Sequence, residues 1–212
     1  GLLLNIDNQE VWIKLIGSFN AYNALVVYSI SQLLKQDKVQ VLTTLSNLNS
    51  VEGRFQYVKS KNGIIAIVDY AHTPDALKNV LETIKDIRTG NEQVVTVVGC
   101  GGDRDSAKRP IMARIACEYS NKTILTSDNP RSENPEEILN QMQSGLSPVE
   151  MKNALRISDR KEAIRTAVAF AKEGDILLIA GKGHEKYQEI NGVKHHFDDF
   201  EIIKELFETQ TI

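Results

Sequence analysis

Asp128-Asn129-Pro130-Arg131 puts two short polar side chains, a proline and an arginine between two segments of opposite character. Before it, Thr123-Ile124-Leu125-Thr126 reads as a buried parallel strand. After it, Pro135-Glu136-Glu137-Ile138-Leu139 reads as the first turn of a helix, with proline at its start and acids behind it. In open α/β sheets the ligand crevice lies outside the carboxyl ends of the strands. An arginine there can clamp a carboxylate with two parallel hydrogen bonds, although the same composition also makes an ordinary solvated turn. Three further polar or glycine-rich segments follow apolar stretches in the same way, and they favour the clamp.

The first is Asp69-Tyr70-Ala71-His72-Thr73-Pro74-Asp75. An acid at a strand end can accept from a pair of ribose hydroxyls, whereas Thr73 and Pro74 already have a structural use as helix cap and first-turn residue. The second is Gly99-Cys100-Gly101-Gly102-Asp103-Arg104-Asp105, whose glycines allow close backbone approach to a ligand and expose amide donors. Arg104 stands between two acids, so it either forms a local ion pair or holds a carboxylate or phosphate. The third is Gly181-Lys182-Gly183-His184-Glu185, where small residues meet a lysine, a histidine and a carboxylate. Two basic and two acidic side chains among these loops suit a zwitterion better than a polyanion, with carboxylates directed to the arginines and an ammonium to Asp128 or Glu185. The residues alone lead to a site for an amino-acid-like or nucleotide ligand. No Gly-x-x-x-x-Gly-Lys-Ser/Thr loop, dinucleotide fingerprint or zinc spacing occurs in the sequence.

The elements that must position these loops alternate. Strands are expected over Phe55–Val58, Ile64–Asp69, Val94–Val98, Lys122–Thr126, Leu155–Ile157 and Asp175–Ile179. Helices are expected over Pro74–Ile87, Lys108–Tyr119, Pro135–Met142, Arg160–Lys172 and Phe200–Thr209. The near-continuous apolar runs suit strands buried on both faces. The alternation implies βαβ units, hence an α/β, Rossmann-like fold with a mostly parallel sheet and helices on both faces. Asn191-Gly192 between Tyr187–Ile190 and Val193–His196 signals a hairpin. Residues 1–50 follow a different pattern, with one strand over Gln9 to Ile16 and two helical stretches, Asn20 to Lys35 and Val39 to Leu48. These offer too little core for a domain of their own and read as the tail of a larger one, so the chain is expected to be a fragment.

The 212 residues carry a formal charge of −3, which argues against a general nucleic-acid binder. No apolar run has the length of a membrane span, and Gly1 to Asp7 has neither the basic region nor the cleavage site of a signal peptide. Cys100 and Cys117 read as reduced cytosolic thiols, with a catalytic Cys100 the lesser alternative. A cytoplasmic monomer is expected.

Seven segments, in order and over nearly the whole chain, together resemble the Mur ligase family. They are Gly17-Ser18-Phe19-Asn20-Ala21-Tyr22-Asn23, Val51-Glu52-Gly53-Arg54, the segment from Asp69 to Asp75, the segment from Gly99 to Asp105, Lys108-Arg109-Pro110, Asp128 to Arg131, and Gly181 to Glu185. The resemblance implies that residues 1–50 are the remnant of a central ATPase domain and that 51–212 form a C-terminal Rossmann-like domain bringing the incoming amino acid. It implies an ATP-dependent amide-bond synthesis. A substrate carboxylate is phosphorylated to an acyl phosphate, and the amine of the amino acid displaces phosphate.

Carried over by motif, Asn20 and Asn23 would lie near the adenine, Arg54 at the ATP phosphates, Asp69 at the ribose and His72 close to the nucleotide. Arg104, Asp128, Asn129, Arg131, Gly181 and Glu185 would hold the amino acid, with Pro130 inside the same motif. No residue of this chain is expected to act as catalytic acid, base or nucleophile, or as a metal ligand. The family's P-loop, its Mg2+ ligands and its modified lysine do not occur here, so the chain is expected to be inactive alone. In this family Asp-Asn-Pro-Arg goes with meso-diaminopimelate, and the lysine-adding members usually lack the arginine. Diaminopimelate has a second carboxylate where lysine has none, and a buried guanidinium without it would be an unpaired charge costing roughly 2–5 kcal/mol. The implied reactants are UDP-MurNAc-L-Ala-D-Glu, meso-diaminopimelate and ATP. The alternatives are a lysine-adding or other Mur ligase, a non-catalytic binding module of the same fold, and a nucleotide-dependent oxidoreductase, which the missing fingerprint disfavours.

Overall fold

In the computed structural model, which describes residues 1–209, the chain divides into two compact units. One is Gly1–Val51 and the other begins at Glu52.

In the first unit, Asp7 and Asn8 both take left-handed backbone, with φ of 49° and 63°, the conformation of a tight two-residue hairpin turn. They join β1 (Leu2–Ile6) to β2 (Gln9–Ile13), with Leu2 opposite Ile13 and Ile6 opposite Gln9. The single strand expected over Gln9 to Ile16 is thus one arm of a hairpin, and it stops at Ile13. Asp-Asn reaches the left-handed region through its short polar side chains rather than a glycine, so its turn signal is weak. Helices α1 (Phe19–Leu33) and α2 (Lys38–Asn47) follow; the side chain of Asp37 caps α2 by accepting from the Gln40 amide at 2.8 Å. Ile6, Val11 and Ile13 pack with Ala24, Tyr28, Leu42 and Leu45 into a small core. The Tyr28 hydroxyl donates to Asp7 at 2.6 Å, a bond that pushes the phenol up to about 12.

The second unit is built on six strands: β3 (Gln56–Lys59), β4 (Ile65–Asp69), β5 (Val94–Cys100), β6 (Lys122–Ser127), β7 (Ala154–Arg156) and β8 (Ile176–Ala180), in the spatial order β3-β4-β8-β5-β6-β7. Only β3 is antiparallel to its neighbour. Helices α3 (Pro74–Ile87), α4 (Lys108–Tyr119) and α5 (Pro135–Gln143) pack side by side, and α6 (Arg160–Phe170) packs with α7 (Asp199–Thr209). Ala66, Val68, Val95, Val97, Leu177 and Ile179 pack on Ala163, Ile164 and Ala167 of α6 and on Ile203 and Phe207 of α7. The alternate residues of the same strands point to the opposite face, which explains why these strands are apolar throughout. The hairpin β9 (Tyr187–Ile190) to β10 (Val193–His196) lies outside this sheet.

Strands β4 and β5 are consecutive in the chain, yet β8 lies between them in space. After β7 the chain returns through α6 to fill that position. Reversals of this kind leave a crevice at the carboxyl ends of the strands, and the four chemistry-bearing loops follow β4, β5, β6 and β8. No helix among the described residues is long and apolar enough to cross a membrane.

Candidate functional site

The loops after β6 and β8 meet in a cluster of buried polar side chains. Asp128 and Asn129 are almost fully buried and Lys182 is 0% exposed. The Lys182 ammonium donates to Asn129 Oδ1 at 2.8 Å and stands 3.8 Å from Asp128 Oδ1 and 3.7 Å from Glu185 Oε2. Burial pushes the Lys182 ammonium below its ordinary value, against the pull of Asp128. Asn129 Nδ2 donates to Glu185 Oε2 at 2.8 Å. Gly181 sits at φ 118°, and a Cβ there would come within 2.6 Å of Asp128 Oδ2, so glycine is required for both reasons.

A buried ion pair ties these strand ends to the helices behind them. Arg160, at the start of α6, donates through Nε and Nη2 to both oxygens of Asp199 at 2.9 and 2.8 Å. Nη2 also donates to the Ala180 carbonyl at 3.1 Å, and Nη1 to that of Ser127 at 3.4 Å. The last residues of β6 and β8 therefore share one guanidinium. From the other side the β9–β10 hairpin braces the loop after β6. The Arg131 amide donates to the Glu189 carbonyl, the Asn191 amide to the Arg131 carbonyl, and the Glu189 amide to Asn129 Oδ1.

The loop after β5 leans on the same segment. Arg131 has φ of 51°; its Nη1 donates to the Gly102 carbonyl at 2.8 Å and its Nε lies 3.5 Å from Glu189 Oε2. A Cβ on Gly102 would fall 1.9 Å from the Pro130 carbonyl oxygen, and one on Gly101 2.8 Å from Arg131 Nη1. These glycines admit neighbouring backbone and a guanidinium rather than standing open. Arg109, 1% exposed, donates to both oxygens of Glu133 at 2.8 Å, to Gln141 at 2.7 Å and to the Gly101 carbonyl at 3.0 Å. This contact holds the Glu133 carboxyl below its ordinary range. Arg104 is exposed and donates to the Asp103 carbonyl. Its flanking acids are engaged elsewhere rather than in the local ion pair they suggested: Asp103 accepts from Ser132 and Asp105 from the Ala107 amide.

At the end of β4, Asp69 is nearly buried and accepts from the amides of Phe55 at 2.7 Å and Ala71 at 2.8 Å. Burial pushes its carboxyl up, against those two amides and the Arg54 charge. Arg54 lies over the Tyr70 ring at 4.5 Å; the rings of His72 and His184 stand 4.5 and 5.0 Å from that of Tyr70. The backbones of Gly53 and Gly183 touch here, since a Cβ on Gly53 would meet the His184 amide nitrogen at 2.0 Å and one on Gly183 the Gly53 carbonyl at 2.7 Å. Thr73 caps α3 through the Ala76 amide. Cys100 is buried and its thiol is pushed up to about 12, chiefly by that burial, which favours the neutral thiol of a packed core residue.

Residues 53–183 match the family described as Mur ligase, glutamate ligase domain. The chain belongs to the Mur ligase family. It is 56% identical over 209 residues, 99% of its length, to the UDP-N-acetylmuramoyl-L-alanyl-D-glutamate–2,6-diaminopimelate ligase of Cytophaga hutchinsonii, and covers 43% of that protein. The protein of the same name from Bacillus cereus is 48% identical over 204 residues, 96% of this chain and 40% of its own. Among solved structures, a ligase with that name is 41% identical with a TM-score of 0.73, the match covering 96% of this chain and 41% of the other. UDP-N-acetylmuramate-alanine ligase MurC from Thermotoga maritima, at 22% identity and a TM-score of 0.66 over 95% of this chain and 40% of the other, shares the fold. The chain thus spans about two-fifths of the length of the relatives it matches.

Within this Mur ligase fold, the residues singled out from the sequence fall into three groups. Asp128, Asn129, Gly181 and Glu185 meet directly, Pro130 and Arg131 continue the same loop with Arg131 on the Gly102 carbonyl, and Arg104 stands exposed in the loop after β5, bonded to the Asp103 carbonyl. Arg54, Asp69 and His72 gather around Tyr70 at the end of β4. Asn20 and Asn23 belong to the first unit, where Asn23 donates to Asn20 at 3.1 Å and Asn20 to the Ile16 carbonyl at 2.8 Å. Sequence reasoning reaches Lys182 and Arg109 only as members of motifs and passes over Arg160, Asp199, Glu133 and Glu189. Their partners lie far away in the chain, 39 residues in the case of Arg160 and Asp199, so no local spacing could signal them.

Proposed function

We propose that this chain is the C-terminal part of a longer ATP-dependent ligase that joins meso-diaminopimelate to UDP-MurNAc-L-Ala-D-Glu in the cytoplasmic assembly of peptidoglycan precursors. The observation that carries the reading is Arg131. It stands in the loop after β6, with Nε beside Glu189 and Nη1 on the Gly102 carbonyl, while the adjoining buried cluster provides carboxylates for an ammonium. The names of relatives matching 99% and 96% of the chain support it.

In this reading Arg131 and Arg104 take the carboxylates of diaminopimelate, and Asp128, Asn129 and Glu185 hold an ammonium, with Gly181 and Pro130 shaping the pocket. Arg54, Asp69 and His72 serve the nucleotide. ATP supplies the phosphoryl group that converts the dipeptide carboxylate to an acyl phosphate. The amine then attacks the acyl carbon, and phosphate leaves with the bonding electrons. The contribution of this domain is to align the amine and to neutralise charge. The reading assigns Mg2+ to the remainder of the longer protein, where the resemblance to the family places its ligands. That remainder also contains the rest of the ATPase domain to which residues 1–50 belong. A monomer with no nucleic-acid or membrane partner completes the proposal.

The test is ATP-dependent phosphate release by the intact protein with UDP-MurNAc-L-Ala-D-Glu and either meso-diaminopimelate or lysine. Turnover with diaminopimelate and little with lysine is expected. Equal use of lysine, or no turnover with either, would overturn the reading.

A further inference from the structure

We infer that Lys182 is a positioning residue, whose buried ammonium sets Asn129, Asp128 and Glu185 in the arrangement that receives the ammonium of the incoming amino acid. The inference rests on the reading of this sheet edge as the diaminopimelate site.

Lys182 has no exposed surface, so it acts through the side chains around it. Its direction is fixed by the chain: Gly181 and Gly183, on either side, both have positive φ, and Gly183 has no room for a Cβ against Tyr70. The ammonium is one of two donors that together decide how Asn129 lies. Asn129 Oδ1 accepts from Lys182 Nζ and from the Glu189 amide. Turning the amide over would put its NH2 against two donors, so Nδ2 must face Glu185, to which it donates. Lys182, together with the Glu189 amide, thereby orients Glu185 through Asn129.

Formal charge gives the second argument. Asp128 and Glu185 bring two negative charges and Lys182 one positive, all within ion-pair reach of one another through the ammonium. One negative charge remains for a ligand ammonium. Without Lys182 two carboxylates would share the edge with no internal cation, and like charges that close repel. The bidentate Arg160–Asp199 pair is internally balanced and adds no net charge to this sum.

The test uses the intact protein with Lys182→Met, which removes the charge at similar length, and Lys182→Arg, which keeps it. KM for meso-diaminopimelate, KM for ATP, kcat and the thermal midpoint are measured. Misplacing binding groups by about an ångström costs up to about a hundredfold, so Lys182→Met should raise KM for diaminopimelate by at least about tenfold and leave KM for ATP within about twofold. Lys182→Arg should recover part of the loss. An unchanged diaminopimelate KM in folded Lys182→Met, an equal rise in both KM values, or unfolding of both variants would overturn the inference and leave Lys182 a scaffold residue. Absence of diaminopimelate turnover in the unsubstituted protein would overturn the site reading and this inference with it.

Discussion

Arg131 combines a side chain that residue type alone makes conspicuous with a backbone that it does not. Its φ of 51° is uncommon for a residue other than glycine and is held by two backbone hydrogen bonds to the β9–β10 hairpin. Under the proposed function this preset guanidinium takes the second carboxylate of the ligand. Arg131→Ala in the intact protein should lower kcat/KM for meso-diaminopimelate by roughly two to three orders of magnitude, at about 1.4 kcal/mol per decade. The same change should cost much less with lysine, and an equal loss for both would make Arg131 a structural residue. Asp69 is legible as an acid at a strand end, but its two amide partners are not. With both oxygens already accepting from Phe55 and Ala71, Asp69→Ala should do more than weaken ATP binding. It should also destabilise the fold by about 2–4 kcal/mol, since two buried amides lose their acceptor. Urea denaturation showing no change would contradict that.

At the scale of elements, legibility follows local chemistry. The bounds of α3, α4 and the β9–β10 hairpin coincide with those read from sequence. Thr73-Pro74 starts α3, and Asn191-Gly192 supplies the positive φ angles, 49° and 77°, that a tight hairpin turn needs. Where the deciding partner is distant the sequence is silent: nothing local signals the Arg160–Asp199 pair or the Arg109–Glu133 pair. These pairs decide how the loops are held. Arg160→Met should destabilise the second unit by about 3–5 kcal/mol, because it strands the buried Asp199 carboxylate; replacing both partners by apolar residues should recover much of that loss in the same denaturation assay. The Arg109–Glu133 pair makes stability depend on acid. Glu133 is held below its ordinary value of 4.5, so its stabilising effect is present in full above that value and fades as pH falls through the lower folded one. The stability difference between the wild type and Glu133→Gln should therefore shrink on acidification below pH 4.5. A difference independent of pH would show that the pair contributes no charge-dependent stability.

Over the whole molecule, the two units differ in how completely they cover their own apolar surface. The second encloses both faces of its sheet. The first leaves Leu25, Val26, Val27, Ile30, Leu33 and Leu34 exposed along or just beyond α1, with only Ala24 and Tyr28 of that helix buried. A helix with this much uncovered apolar surface ordinarily packs against a further partner; under the proposed function that partner is the rest of the ATPase domain. Phosphoryl transfer asks for a cradle around the phosphates and for in-line positioning of the nucleophile, and no Walker A sequence occurs in these 212 residues. The chain by itself should therefore release no phosphate above background from ATP with UDP-MurNAc-L-Ala-D-Glu and meso-diaminopimelate, under conditions in which the intact protein turns over. If the isolated chain matched the intact protein, its own loops would have to cradle the triphosphate. The roles given to Arg54 and Asp69 would then have to be enlarged from contacts with ATP to the phosphoryl-transfer site itself.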